Sequence, residues 1–200
     1  MESGWRGEIF SLEELIRAFE IDGVSKAPAI FDLEKLKHFN SEYIRALSGD
    51  EFLRVAAPYI KKAIKNEEID ISAVASLLQS RCEKLDDIPE KIDFFDKPLE
   101  YSTELFINKK SKTDENISRD VLKTVSAVFP HLPDWKAETI QSALKSEAEI
   151  RGVKNATIMW PVRIAVSGKP VTPGGAVEIC AILGREETLR RIAAAIEKLP

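Results

Sequence analysis

The stretch MWPVRIAVSGKPVTPGG, residues 159–175, joins an apolar run containing one arginine to a turn with one lysine, two prolines and three glycines. It can be a strand entering a phosphate-binding loop, a piece of buried core, or a surface built to read a partner. The first reading fails on spacing. A Gly-x4-Gly-Lys-Ser/Thr loop needs an upstream glycine that is missing here, and Gly168-Lys169 is followed by Pro170, which has no amide hydrogen to offer a phosphate. MWPVRIAV then fits a core helix from which Arg163 projects, and SGKPVTPGG a rigid turn after it.

Outward from this stretch, apolar residues recur at three and four, the helical spacing. SLEELIRAFE has Ser11 as N-cap and Glu14 three residues on, a capping box. FDLEKLKHFNSEYIRALSG starts at Asp32 as cap and stops at Gly49, with Leu33, Leu36, Phe39, Tyr43, Ile44 and Leu47 on one stripe. GDEFLRVAAPYIKKAI predicts a third helix capped by Asp50 and kinked or interrupted at Pro58. IDISAVASLLQSRCEKLDDIPEKIDFF predicts a longer helical run that, with Pro89 in its second half, breaks or restarts near Asp86. FFDKPLEYSTELFINKKSKTDEN then loses periodicity, which places a boundary near residue 100. VLKTVSAVFPHL, ETIQSALKSEAEIRG and REETLRRIAAAIEKL are helical again, the last with Glu186 and Glu187 in its first turn. The expected architecture is all-α, two packed helical subdomains spanning 1–100 and 101–200.

With 200 residues, 44% of them apolar and 31% charged, the chain can bury a sizeable core. No uncharged apolar stretch of about 18 residues occurs, and MESGWRGEIF carries an acid where a signal peptide would carry base. The expectation is a cytoplasmic protein that binds no membrane. Cys82 and Cys180 stand alone and far apart, as buried, reduced thiols do. The net charge of −4 argues against a generally basic nucleic-acid binder. Its distribution is uneven, however: residues 151–200 hold eight basic side chains against four acidic ones. That excess is either a solvated helix face or a locally basic surface.

Catalytic constellations are not evident. The two histidines, His38 and His131, belong to no HExxH pattern and have no cysteine nearby in sequence, so neither a zinc site nor a cysteine–histidine pair is expected. Glu13 with Glu14, and Asp86 with Asp87, are adjacent, which on a helix points them about 100° apart and away from any shared substrate.

FSLEELIRAFEIDGVSKAPAIFDLEKLKHFNSEYIR, KLDDIPEKIDFF, the KKSKTD segment and IMWPVRIAVSGKPVTPGGAVEICAILGREETLRRI together resemble, in order, the C-terminal half of bacterial glutamyl-tRNA synthetases, from Gly7 to Leu199. The resemblance implies an anticodon-binding helical region. It also implies that the family's ATP- and Mg²⁺-dependent chemistry belongs to an N-terminal domain with HIGH-type and KMSKS-type motifs, which do not occur here. Val24-Ser25-Lys26 falls in the part that matches downstream family sequence. On this reading the chain has no catalytic residues, metal or cofactor of its own and does not activate glutamate alone.

The same resemblance implies site residues. Arg45 matches an arginine associated with the third anticodon base, cytosine in glutamate tRNAs and guanine in glutamine tRNAs; the residues alone favour a helix C-terminal cation ahead of Gly49. Arg163 matches an arginine at the first two bases, with Thr172 and Pro173 in the turn against them and Gly174 allowing close backbone approach. Some relatives have a shorter Thr-Pro-Gly-Leu-Phe-Glu turn, whereas Thr172-Pro-Gly-Gly-Ala-Val-Glu is one residue longer. Lys109, Lys110, Lys112, Arg151 and Lys169 are candidate phosphate contacts. Trp160 is either core or a stacking platform. The expected partners are tRNA(Glu) and the catalytic domain of the parent synthetase, without DNA, for a monomeric chain. The alternatives are a helical protein-interaction module that has lost RNA binding, and an enzyme with an unrecognised site.

Overall fold

A computed structural model describes residues 9–23 and 31–200. Val24-Ser25-Lys26 and the first eight residues, which bear on the signal-peptide expectation, lie outside the described residues. The described residues fold as an all-α protein without named strands. The helices are α1 (Leu12–Ala18), α2 (Leu33–Ala46), α3 (Gly49–Ala63), α4 (Ile71–Leu78), α5 (Ile88–Ile92), α6 (Glu115–Val128), α7 (Ala137–Ile150), α8 (Asn155–Ser167), α9 (Ala176–Leu183) and α10 (Arg185–Lys198).

Local chemistry sets most of their ends. Ser11 and Glu14 form the reciprocal capping box that starts α1, and Asp32 accepts from the amides of Glu34 and Lys35 to start α2. α3 begins earlier than expected: its cap is Ser48, in a capping box with Glu51, and not Asp50. Pro58 does not interrupt it. A proline removes one hydrogen bond of the ladder, yet burial of Phe52, Ala56 and Ile60 on one face holds the helix together. The long run after residue 70 breaks at the 3₁₀ turn Gln79–Arg81 and restarts, as expected, beside Asp86, with Pro89 in the first turn of α5, where its missing amide costs nothing.

α3 packs against α4 and α5, while α2 rests on the 79–81 turn. The Gln79 side-chain amide donates to the carbonyls of Leu47 (2.7 Å) and Ile44 (3.3 Å), satisfying the free end of α2. In the other half, α8 is the centre: α6, α7, α9 and α10 all pack on it. Eight of its 13 residues are buried, as expected for a helix apolar nearly all round. The buried residues form one connected cluster from Ile44 to Leu199, so the two halves share a core.

Arg191 of α10 bolts the halves together. Its guanidinium donates to the carbonyls of Phe94 and Val166, both at 2.6 Å, and pairs with Glu187 at 2.6 Å. The Lys169–Asp93 ion pair, 2.6 Å, adds a second tie. Among the described residues no helix is long and apolar enough to cross a membrane.

Candidate nucleic-acid interface

The expected core helix is α8, and its one charged side chain lies at the edge of the core. Trp160 and Arg163 are three positions apart and therefore share a face. Trp160 is half-buried, and its ring is fixed by an Nε1–H bond to the carbonyl of Leu105, 2.9 Å. The Arg163 guanidinium lies over that ring, 4.6 Å from its centroid. Among the described residues, Arg163 makes no ion pair, and its Nε is buried without a hydrogen-bond partner. Burial pushes the guanidinium below its ordinary pKa, and the positive charge of Arg81 pushes in the same direction. The result is a flat, partly desolvated cation short of acceptors, which is the condition that favours binding one. Beside it opens a pocket of about 240 Å³ lined by Ser111, Met159, Trp160, Gly175 and Ala176.

The turn after α8 is built differently from expectation. Gly168 ends the helix at φ +67°, and a Cβ there would meet Tyr101 Cδ1 at 2.8 Å, so glycine is required twice over. Thr172, Pro173 and Gly174 are buried, not displayed. The Thr172 hydroxyl donates to the carbonyl of Gly174, 2.6 Å, closing the turn on itself. A Cβ on Gly174 would lie 2.9 Å from Leu77 Cδ1, so the missing side chain accommodates α4. The turn exposes Val171, at 82%. The additional residue, Gly175, caps α9 and donates its N–H to Glu178, 2.9 Å, at the rim of the pocket.

Arg81, which the sequence did not single out, reaches this turn from the 3₁₀ segment after α4. Its Nη1 donates to the carbonyl of Thr172, 3.0 Å, across 91 positions of chain. That is the one hydrogen bond of its side chain among the described residues, and the side chain is otherwise exposed. No local pattern marks it; only the long-range contact does. Arg45 stands one step further along the same edge. It donates through Nε to the carbonyl of Ser80, 3.3 Å, next to Arg81, and its Nη1 is ion-paired with Glu42. Arg45 thus reaches the chain next to Arg81, and Arg81 lies close enough to Arg163 for the two positive charges to oppose each other.

The candidate phosphate contacts divide in two. Lys109, Lys110 and Lys112 are exposed on a closed loop held by paired bonds between Asn108 and Thr113, 3.0 and 3.1 Å. The carbonyl of Ser111 accepts from the Thr157 hydroxyl, 2.8 Å, anchoring this loop to α8 beside the Arg163 pocket. Arg151, by contrast, is ion-paired with Asp120 and Glu147 and donates to the Thr124 hydroxyl, 2.6 Å. Lys169 is held by Asp93 and the carbonyl of Glu90. Cys82 and Cys180 are both buried, and burial pushes the Cys180 thiol up to about 12.

A model of the anticodon binding domain matches residues 51–196. The glutamate–tRNA ligase of Clostridium acetobutylicum is 43% identical over 200 residues, covering 98% of this chain and 41% of that protein. The corresponding ligase of Clostridium botulinum is 47% identical over 196 residues, covering 98% and 40%. The solved structure of a glutamate tRNA ligase from Elizabethkingia meningosepticum in complex with its amino acid superposes with a TM-score of 0.80 at 27% identity, covering 96% of this chain and 38% of that one. The chain thus spans about two-fifths of the length of these relatives. It belongs to the anticodon-binding domain family, in the form carried by glutamate–tRNA ligases.

Proposed function

We propose that this chain reads the anticodon arm of tRNA(Glu) on the edge formed by Arg81, Arg163 and the Lys109–Lys112 loop, as the recognition part of a glutamate–tRNA ligase. The observation that carries the reading is Arg163: a guanidinium stacked on Trp160, without a hydrogen-bond partner at its buried Nε, at the mouth of an open pocket. Bases of a single-stranded loop are splayed outward and recognised by stacking and by hydrogen bonds to their edges. The Trp160–Arg163 stack offers both a flat platform and a row of donors. Thr172, Pro173 and Gly174 support the reading indirectly, as the packed turn that holds Arg81 in place. Exposed Lys109, Lys110 and Lys112 supply phosphate contacts, which position the RNA without reading sequence. Arg151 and Lys169, already paired within the fold, serve its stability.

Third-base selection follows from donor chemistry. An unpaired cytosine presents two adjacent acceptors, O2 and N3, to a donor-only guanidinium, whereas guanine presents two N–H donors. We assign this role to Arg81 rather than Arg45, because Arg81 has free nitrogens beside Thr172 and Arg163, while Arg45 is engaged by Glu42 and Ser80. The ATP- and Mg²⁺-dependent activation of glutamate belongs to the remainder of the ligase. The protein works in the cytoplasm, as a monomer.

The test uses tRNA(Glu) transcripts with C or G at the third anticodon position. The C form binds about 5- to 150-fold more tightly, the equivalent of about 1–3 kcal/mol for a mismatched polar contact. Arg81→Ala abolishes the difference and Arg45→Ala leaves it largely intact; the reverse pattern returns the assignment to Arg45. Affinity also falls with salt, with a log–log slope of about −0.7 per neutralised phosphate. No RNA binding at low salt would favour a protein-interaction module instead.

A further inference from the structure

α1 and α2 differ from the rest of the molecule in what they leave uncovered. Leu12, Leu15, Ile16 and Phe19 recur at three and four along α1, and all four are at least half exposed. α1 buries no residue at all. Phe31, Leu33 and Leu36, at and after the start of α2, continue the exposed apolar surface at 74%, 61% and 50%. The segment is nonetheless built to a plan: α1 has its full capping box, and Tyr43 of α2 donates its hydroxyl to the carbonyl of Phe10, 2.6 Å, fixing the two together. Isolated apolar side chains on a surface need no explanation, but a continuous exposed stripe on a capped helix that no described residue covers does.

We infer that this α1–α2 face is the docking surface for the remaining body of the glutamate–tRNA ligase, which covers the stripe with an apolar groove of its own. Two facts select that occupant. The stripe lies wholly in residues 9–36, outside the 51–196 segment that the anticodon binding domain model matches, yet the ligase relatives match 98% of the chain. About three-fifths of the length of those relatives also lies outside what this chain spans. The stripe therefore belongs to what the chain shares with long ligases and not with anticodon-binding domains in general. The inference rests on the family assignment and not on the RNA-reading edge, which is formed by other residues.

The experiment mixes the purified chain with the separately expressed catalytic part of the Clostridium acetobutylicum ligase and follows association by sedimentation velocity and calorimetry. Association is expected for the chain as it is, and a loss of at least about tenfold in affinity for Leu15→Ser with Ile16→Ser. Because both side chains are exposed, circular dichroism and melting temperature of the double variant should match the parent. Its binding to the tRNA(Glu) transcript should also be unchanged, which separates failure of docking from failure of RNA reading. Absence of association, association unaffected by the double variant, or concentration-dependent self-association abolished by it would each overturn the inference, the last in favour of a second copy of this chain.

Discussion

Arg163 and Arg191 are both arginines drawn into the helical core, and the surroundings of the two could hardly differ more. Arg191 is 2% exposed at its side chain and has two carbonyls and a carboxylate to donate to. Arg163 sits at the core's edge against an aromatic ring, with a buried nitrogen left unpaired and a second cation, Arg81, close enough to disfavour its charge. A buried charge that is fully partnered serves architecture, and one that is not is a cost retained for a reason outside the fold. Among the other cations, Arg151 and Lys169 are partnered within the fold as Arg191 is, while the lysines of the 108–113 loop stand exposed without an ion pair among the described residues.

The comparison can be broken most sharply at Arg191. Arg191→Ala leaves the Phe94 and Val166 carbonyls without their donor and Glu187 without its buried partner, so unfolding free energy should fall by about 3–5 kcal/mol in urea titration. A loss below about 1 kcal/mol would mean that the bolt is not structural. Next in size is Gly174→Ala, which pushes a methyl against Leu77. Overpacking of this kind costs about 1–3 kcal/mol and should disturb RNA binding only through the displaced turn and Arg81. A variant as stable as the parent would show that the turn yields easily.

The smallest effect concerns acid. Burial works to raise the Glu187 carboxyl's pKa, but hydrogen bonds from Arg190 and Arg191 outweigh it and hold the group below its ordinary 4.5. A lowered folded-state pKa means stability that is complete above the unfolded value and lost as pH falls through the folded one. Glu187→Gln should therefore flatten the dependence of melting temperature on pH below about 4.5, while a Lys109→Ala control keeps the parent's slope. Equal slopes in all three proteins would remove Glu187 from the account.

Much of the fold was legible because its signals are local. Ser11 with Glu14, Asp32, and the apolar stripe of α2 each act within a turn or two of chain, and they form as read. Where reading went astray, two local signals competed. Ser48 and Asp50 are both good caps, and Glu51 settles the matter by closing the box with Ser48. Of the two outcomes expected at Pro58, interruption does not occur: α3 continues through it with Phe52, Ala56 and Ile60 buried. The site was legible only in part. Arg163 stands out as one charge in an apolar run, but Arg81 acquires its meaning from a carbonyl 91 residues away, and the burial of Thr172, Pro173 and Gly174 is set by Leu77 on another helix.

The central claim is that Arg163 is held unpaired in order to meet RNA. Affinity for the tRNA(Glu) transcript and melting temperature, measured together for Arg163→Ala, test it most directly. Removing a stacked guanidinium should weaken binding by about tenfold or more, while relief of an unpaired, partly buried charge leaves the melting temperature unchanged or raised. A variant that melts lower and binds tRNA(Glu) as tightly as the parent would contradict the claim and make Arg163 a structural arginine like Arg191.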